Sequence, residues 1–386
     1  MSELIYKNRR NTNSKKWDAQ TEMYGEEGLH AMWIADMDFE VARCVKDALH
    51  RYVDEGVYGY YKVPDEYYQS FINWELKHHG WLTKKEWIRF SPGVVAGFNW
   101  IIQFMTKKDD AVIVMVPVYY PILKAVENNE RKLICSDLIN NYGRYTINFD
   151  DFEKKIIEND VKLFILCSPH NPVGRVWTKE ELCRVIDICR KHNVFIISDE
   201  IHQDLVYGKN KHIPSFAADN YMENMILITA PSKTFNIAGC QNSIVIIPDE
   251  ELRNKWDYYI NGIRILGGNP FGYIAARAAY EGGESWLKEV NSQIYSNYKY
   301  LISRIDSELP KAIVSPLEGT YLVWIDLKNY LKENNIIEII QKKSHLAVDY
   351  GDWFGGERFS SFIRMNLATS QENVKIAVDA MVKSMV

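Results

Sequence analysis

Between residues 111 and 247 the chain alternates short runs that are apolar on consecutive residues with segments of helical periodicity, and this alternation constrains the fold more than any other feature. The runs span 111–116, 132–135, 163–167, 194–198, 226–229 and 243–247. Strands apolar on both faces must be covered on both faces, which is the condition of a parallel sheet between helices. Residues 178–192 read as one covering helix. Thr178 stands as N-cap, Glu180 and Glu181 fall in the first turn, and Leu182, Val185, Ile186 and Cys189 recur at helical spacing. Strand, helix and strand repeated in this way predict a mainly parallel α/β sheet.

After about residue 285 the pattern changes. A long polar helix is predicted over 284–308, a strand over 321–326, a helix near 335–343, a strand over 362–366 and a final helix from Ser370. These imply a large α/β domain over 48–285 and a smaller α+β domain built from 1–47 and 286–386. A chain of 386 residues, 47% hydrophobic and 25% charged, has the material for two such cores.

In open α/β sheets ligands bind beyond the carboxyl ends of the strands. Three of the apolar runs end in polar groups there: Asn171 in Ser168-Pro169-His170-Asn171-Pro172, Asp199 in Ser198-Asp199-Glu200, and Lys233 in Pro231-Ser232-Lys233-Thr234. A lysine at the mouth of a buried strand is a candidate Schiff-base nucleophile. Taken alone, most such lysines are solvated surface residues. The Ser-Lys pair 34 residues after Asp199 reverses that expectation, and the three strand ends together read as a pyridoxal 5′-phosphate (PLP) site.

Such a site needs a lysine, an anion beside the ring nitrogen, a phosphate cradle and a clamp for the substrate carboxylate. Lys233 is the lysine. Asp199 is the candidate anion, with the N-cap of a following turn as its plainer alternative. Asn171, held extended by Pro172, can reach the ring's phenolate oxygen, although Asn-Pro is also a common turn. The phosphate is assigned to the Ser232 hydroxyl and to the turn around Gly93, Val94 and Val95, which opens a helical pattern and exposes backbone N–H groups. Tyr119 is the ring that could stack on the cofactor, or a core aromatic. Arg364, in the apolar run 362–366, binds either the substrate carboxylate or a structural carboxylate partner.

Charge and cysteine usage narrow the remaining classes. A net charge of −5 gives no general attraction to nucleic acid or to an anionic membrane. No signal peptide or membrane span is expected, and six cysteines without a C-x-x-C pair suit a reducing, cytoplasmic setting. Nine histidines show no ligand spacing beyond His78-His79, so no metal is expected.

The residues resemble a known family. Arg10-Asn11-Thr12-Asn13-Ser14-Lys15-Lys16-Trp17-Asp18, Trp33-Ile34-Ala35-Asp36-Met37-Asp38-Phe39, Gly56-Val57-Tyr58-Gly59-Tyr60, the stretch from Cys167 to Trp177, Ser198-Asp199-Glu200-Ile201-His202 and Pro231-Ser232-Lys233-Thr234-Phe235-Asn236 are similar to fold-type I PLP enzymes of the class I/II aminotransferase superfamily. Within it they resemble the MalY/PatB group of cystathionine β-lyases. The resemblance implies the fold-type I transferase architecture, with a mainly parallel seven-stranded sheet between helices in the large domain and a smaller α+β domain. It places His202 beside the cofactor, where many aminotransferases carry a tyrosine. It also leaves Cys240-Gln241 where they often have a phosphate-binding arginine. By the same resemblance Tyr60 reaches the phosphate from the partner subunit of a homodimer with a composite site. Trp33 and Phe39, with Asp36 between them, are expected to close over the substrate.

The activity so implied is β-elimination of cystathionine or a cysteine S-conjugate to a thiol such as homocysteine, pyruvate and ammonia, with a small-molecule amino acid as substrate. Transamination would use the same residues, and a regulatory protein retaining the fold is a third reading.

Overall fold

The computed structural model describes residues 4–219, 221–265, 267–331 and 335–385. Its centre is a seven-stranded sheet of β1 (Ile88–Ser91), β2 (Ala111–Val116), β3 (Lys132–Asp137), β4 (Leu163–Cys167), β5 (Phe195–Asp199), β6 (Met225–Thr229) and β7 (Ser243–Ile246). The spatial order is β1-β7-β6-β5-β4-β2-β3, and only β7 runs opposite to the other six. Every residue of β2, β4, β5 and β6 is buried, the consequence of helices on both faces. At the edge, β3 alternates exposed and buried positions instead.

The helix over Lys179–Lys191 starts as its sequence requires. Glu181 N–H donates to Thr178 Oγ1 at 3.2 Å, and the Glu181 carboxylate accepts the Thr178 N–H at 2.9 Å, a complete capping box. Strand β5 extends one residue past the apolar run, so Asp199 itself lies in the ladder between Cys167 and Ile228. Strand β1 was not among the expected strands. Its four residues, Ile-Arg-Phe-Ser, carry no continuous apolar run, and antiparallel pairing with β7 makes them a strand.

Beyond this sheet lies a four-stranded antiparallel one, in the order Ile313–Val314, Leu322–Asp326, Phe362–Asn366, Asp349–Tyr350. The long helix Glu284–Glu308 and the terminal helix Gln371–Met385 pack together over its buried residues. The helix expected near 335–343 is wound wider, as a π-turn over Glu338–Lys343 with Ile339, Ile340 and Gln341 buried. Two contacts fix the N-terminal segment, the first of them against this part. His30–Ala31 pairs in parallel with Leu346–Ala347, and the buried ion pair Lys16–Asp38, at 2.9 Å, also takes a hydrogen bond from the Trp17 indole. Among the described residues no helix is long and apolar enough to cross a membrane.

Candidate active site

The carboxyl ends of β4, β5 and β6 open on a cavity of about 180 Å³. Its lining brings together Lys233, Asp199, Asn171, His202, Tyr119, Ser232, Val94 and Val95. Lys233 stands on a single helical turn, Pro231–Thr234, two residues beyond the end of β6, and its Nζ donates to the Ala35 carbonyl at 2.6 Å. Burial lowers the pKa of this amine to about 8; Asp36 and Asp199 pull it back up, while Arg364 adds to the fall.

Asp199 is 3% exposed, and one of its oxygens accepts the Ile201 N–H at 3.2 Å. Burial pushes its carboxyl up to about 7, outweighing that hydrogen bond and the attraction of Lys233. Deep carboxyl and amine thus sit with their pKa values displaced toward each other, as happens where chemistry needs both. His202, also buried, is held far below its ordinary value by burial and by the charges of Lys233 and Arg364, so its ring is neutral.

Asn171 owes its orientation to Arg364. Nη1 of the arginine donates to Asn171 Oδ1 at 3.0 Å, which leaves the Nδ2 donors of the amide for the cavity. Tyr119 is joined to the same turn through its N–H, which donates to the Asn171 carbonyl at 3.0 Å. Arg364 does not line the cavity. It is 1% exposed, its Nε and Nη2 donate to Asp349 Oδ2 at 3.1 and 2.5 Å, and its guanidinium lies 4.9 Å from the Phe354 ring centre. The structural carboxylate partner anticipated as an alternative is therefore present.

The turn expected to take the phosphate is the start of the helix Val94–Met105, which lines the cavity. Gly93 is its N-cap, no side chain caps its first N–H groups, and a Cβ on Gly93 would meet nothing within 4 Å. The helix is pressed onto the sheet at Gly97, where a Cβ would stand 3.0 Å from Ser91 Oγ and 3.2 Å from Ile228. Asn242, which the sequence did not single out, lines the cavity beside Ser232. Its Oδ1 accepts the Tyr67 hydroxyl at 2.9 Å, and its Nδ2, like Nδ1 of His202, has no hydrogen-bond partner among the described residues.

Four expected residues stand elsewhere. Tyr60 is fully exposed on the segment after the helix Arg43–Glu55 and takes no part in its own chain's cavity. Asp36 is paired with Arg9 at 2.8 Å; its neighbour Ala35 forms the wall, through the backbone. Trp33 and Phe39, expected to close over the substrate, are core residues, with the Trp33 indole donating to the Lys16 carbonyl at 2.7 Å.

An anion wanting a cation, an amine with a depressed pKa, unpartnered donors and an uncapped helix start fit PLP in charge and hydrogen-bonding chemistry. Comparison with known proteins points the same way. The model of the family "Aminotransferase class I and II" matches residues 35–381. Cystathionine beta-lyase PatB of Bacillus subtilis is 37% identical over 372 residues, covering 94% of this chain and 95% of that protein. The structure of a PLP-bound putative aminotransferase from Clostridium difficile superposes with a TM-score of 0.95 at 40% identity, covering 99% of each chain. The PLP-bound C-S lyase from Staphylococcus hominis superposes at 0.94 with 34% identity, covering 99% of this chain and 97% of that one.

Proposed function

The chain belongs to the aminotransferase class I and II family, and from that premise we propose that it is a PLP-dependent carbon–sulfur lyase. Its substrate is an L-amino acid carrying sulfur on Cβ, such as cystathionine or a cysteine S-conjugate, and its products are a thiol, pyruvate and ammonia. The observation that carries this reading is the convergence of Lys233, Asp199 and Asn171 on one cavity in a chain 37% identical to a cystathionine β-lyase.

PLP, when bound, supplies the electron sink that lets an amino acid give up its Cα proton. Lys233 would hold the cofactor through Nζ, and the same Nζ, as a free amine with a pKa of about 8, is suited to take the Cα proton near neutral pH. The Asp199 carboxylate would keep the ring nitrogen protonated. Asn171 Nδ2 would donate to the ring oxygen, with the neutral His202 and Tyr119 as the other groups for the ring. Ser232 Oγ, the N–H groups of Val94 and Val95, and Asn242 Nδ2 would hold the phosphate, in a chain that lacks the arginine often found there. Arg364 takes the substrate carboxylate on the N–H groups that Asp349 leaves, and Asp36 keeps the loop at Ala35 against the substrate. The Cβ–S bond breaks with its electron pair going to sulfur, and the three-carbon fragment is hydrolysed to pyruvate and ammonia.

The same reading includes a homodimer. Tyr60 and its exposed neighbours Val57 and Tyr58 are apolar groups on the surface of a single chain, and we place Tyr60 at the phosphate of the partner subunit's site. It also divides the chain into domains at 48–285 and at 1–47 with 286–386, and sets it in the cytoplasm, in keeping with six cysteines that form no disulfide. The likeness to a putative aminotransferase supports transamination as the second reading. Supplying cystathionine without a keto acid separates the two: a lyase forms pyruvate and thiol, whereas a transaminase needs the acceptor.

A further inference from the structure

Behind the Lys233 turn, on the side away from the cavity, stands a buried carboxylate with no part in the reaction described above. Asp204 follows Asp199 and His202 on the turn after β5. One of its oxygens accepts the Trp74 indole N–H at 2.9 Å and is 2.9 Å from His79 Nε2; the other accepts the Thr234 hydroxyl at 2.7 Å. The side chains of Asp204 and His79 are 4% and 6% exposed.

Thr234 is the residue next to Lys233. Their turn, Pro231–Thr234, has only four residues, too few to hold helical form by local bonding alone. With 3.6 residues per helical turn, successive side chains point about 100° apart, so anchoring Thr234 from behind sets the direction of Lys233. A second contact reinforces the first: Trp74 also packs against Phe235, ring centres 5.3 Å apart. The helix Asp65–His79 thus grips the lysine turn through a carboxylate on the segment that follows Asp199.

We propose that Asp204 is a positioning residue for Lys233: clamped by His79 and Trp74 on one oxygen and holding Thr234 on the other, it sets where the lysine amine stands in the cavity. The proposal rests on the reading of Lys233 as the cofactor-holding lysine. Burial would lower the pKa of His79, but the Asp204 hydrogen bond and charge, with Glu75 and Glu200, raise it to about 9, so the pair is charged at neutral pH. Asp204 is kept below its ordinary value by its bonds to His79, Trp74 and Thr234 against the opposing effect of burial. His79 and Asp204 also line a second cavity of about 630 Å³, with His78, His212, Lys211, Glu284 and Lys288 around it. The groups acting on the Lys233 amine itself are Asp36, Arg364 and Asp199.

The test uses the PLP-loaded protein and follows the visible band of the lysine–cofactor linkage against pH. Thr234→Val removes the hydroxyl and keeps the shape. A lysine no longer held in its buried position is better solvated in its charged form, so the band's midpoint should rise by about one pH unit, ~10-fold in ionisation. Misplacing the proton-carrying amine should lower kcat roughly ten-fold with KM unchanged within about two-fold. Thr234→Ser should restore both, and His79→Gln should move the midpoint the same way by less. A Thr234→Val protein with the wild-type midpoint and kcat overturns the proposal. If that variant does not fold, a His79→Gln protein with the wild-type midpoint overturns it instead. Failure of the underlying reading is seen separately, as a visible band that survives Lys233→Ala.

Discussion

Replacing Asp199 by Asn tests the electrostatics of the site at its deepest point. In the protein alone, burial raises this carboxyl from 3.8 to about 7, a displacement of roughly 3 pKa units. At about 1.4 kcal/mol per unit, charging it costs on the order of 4 kcal/mol, and a cation at the ring position can recover at most that amount. Asn at this position should therefore weaken equilibrium cofactor binding by up to roughly 10³-fold, read by titrating the apo-protein with PLP and following the visible band. The pH dependence gives a sharper readout. Because the apo-protein's carboxyl is protonated below about pH 7 and the cofactor requires it charged, binding to the wild type releases a proton there. Wild-type affinity should fall more steeply than that of the variant as pH drops below about 7, the two slopes differing by about one proton. Equal slopes would refute the reasoning, because they would mean that Asp199 does not titrate against the cofactor.

Further expectations concern the network around the site. His79, raised from 6.5 to about 9, contributes stability that is complete below pH 6.5 and lost as pH rises through 9; Glu75, raised from 4.5 to about 8 chiefly by burial, loses stability over the same direction of change. Stability should therefore decline as pH rises from about 7 through 9, His79 alone contributing a total on the order of 3 kcal/mol, and Tm measured across that range without a decline would contradict the assignment. Asp349→Asn leaves the Arg364 charge with Asn171 as its remaining partner, which should cost about 3–5 kcal/mol in a denaturant melt, and an unreactive amino acid should stabilise this variant more than the wild type. If Tyr60 serves the partner subunit, mixing inactive Tyr60→Ala and Lys233→Ala proteins and allowing exchange should regain activity in heterodimers that carry one intact site. No regain after verified exchange would remove the composite site.

The strand ends were legible because a strand buried on both faces leaves an unbroken apolar run, and whatever polar residue ends it stands out. Asn171, Asp199 and Lys233 were each found in this way, and the cavity brings them together. Residues whose place depends on distant pairing were not. Asp349 meets Arg364 only because the register of Asp349–Tyr350 on Phe362–Asn366 sets the two opposite each other. Asn242 and Asp204 likewise take their meaning from Tyr67 and from Trp74, His79 and Thr234, far away in the chain. Strand β1 escaped for a related reason, since four mixed residues become a strand only beside β7. Trp33 and Phe39 show the opposite error: aromatic residues beside the expected substrate segment turned out to serve the core, while a backbone carbonyl, at Ala35, faces the lysine.

The most direct test of the central claim is to incubate the purified, PLP-loaded protein with L-cystathionine and no keto acid, and to measure pyruvate and free thiol together. Both should appear in equal amounts over many turnovers, and Lys233→Ala should abolish them. Product formation that depends strictly on an added keto acid, with no thiol released, would contradict it.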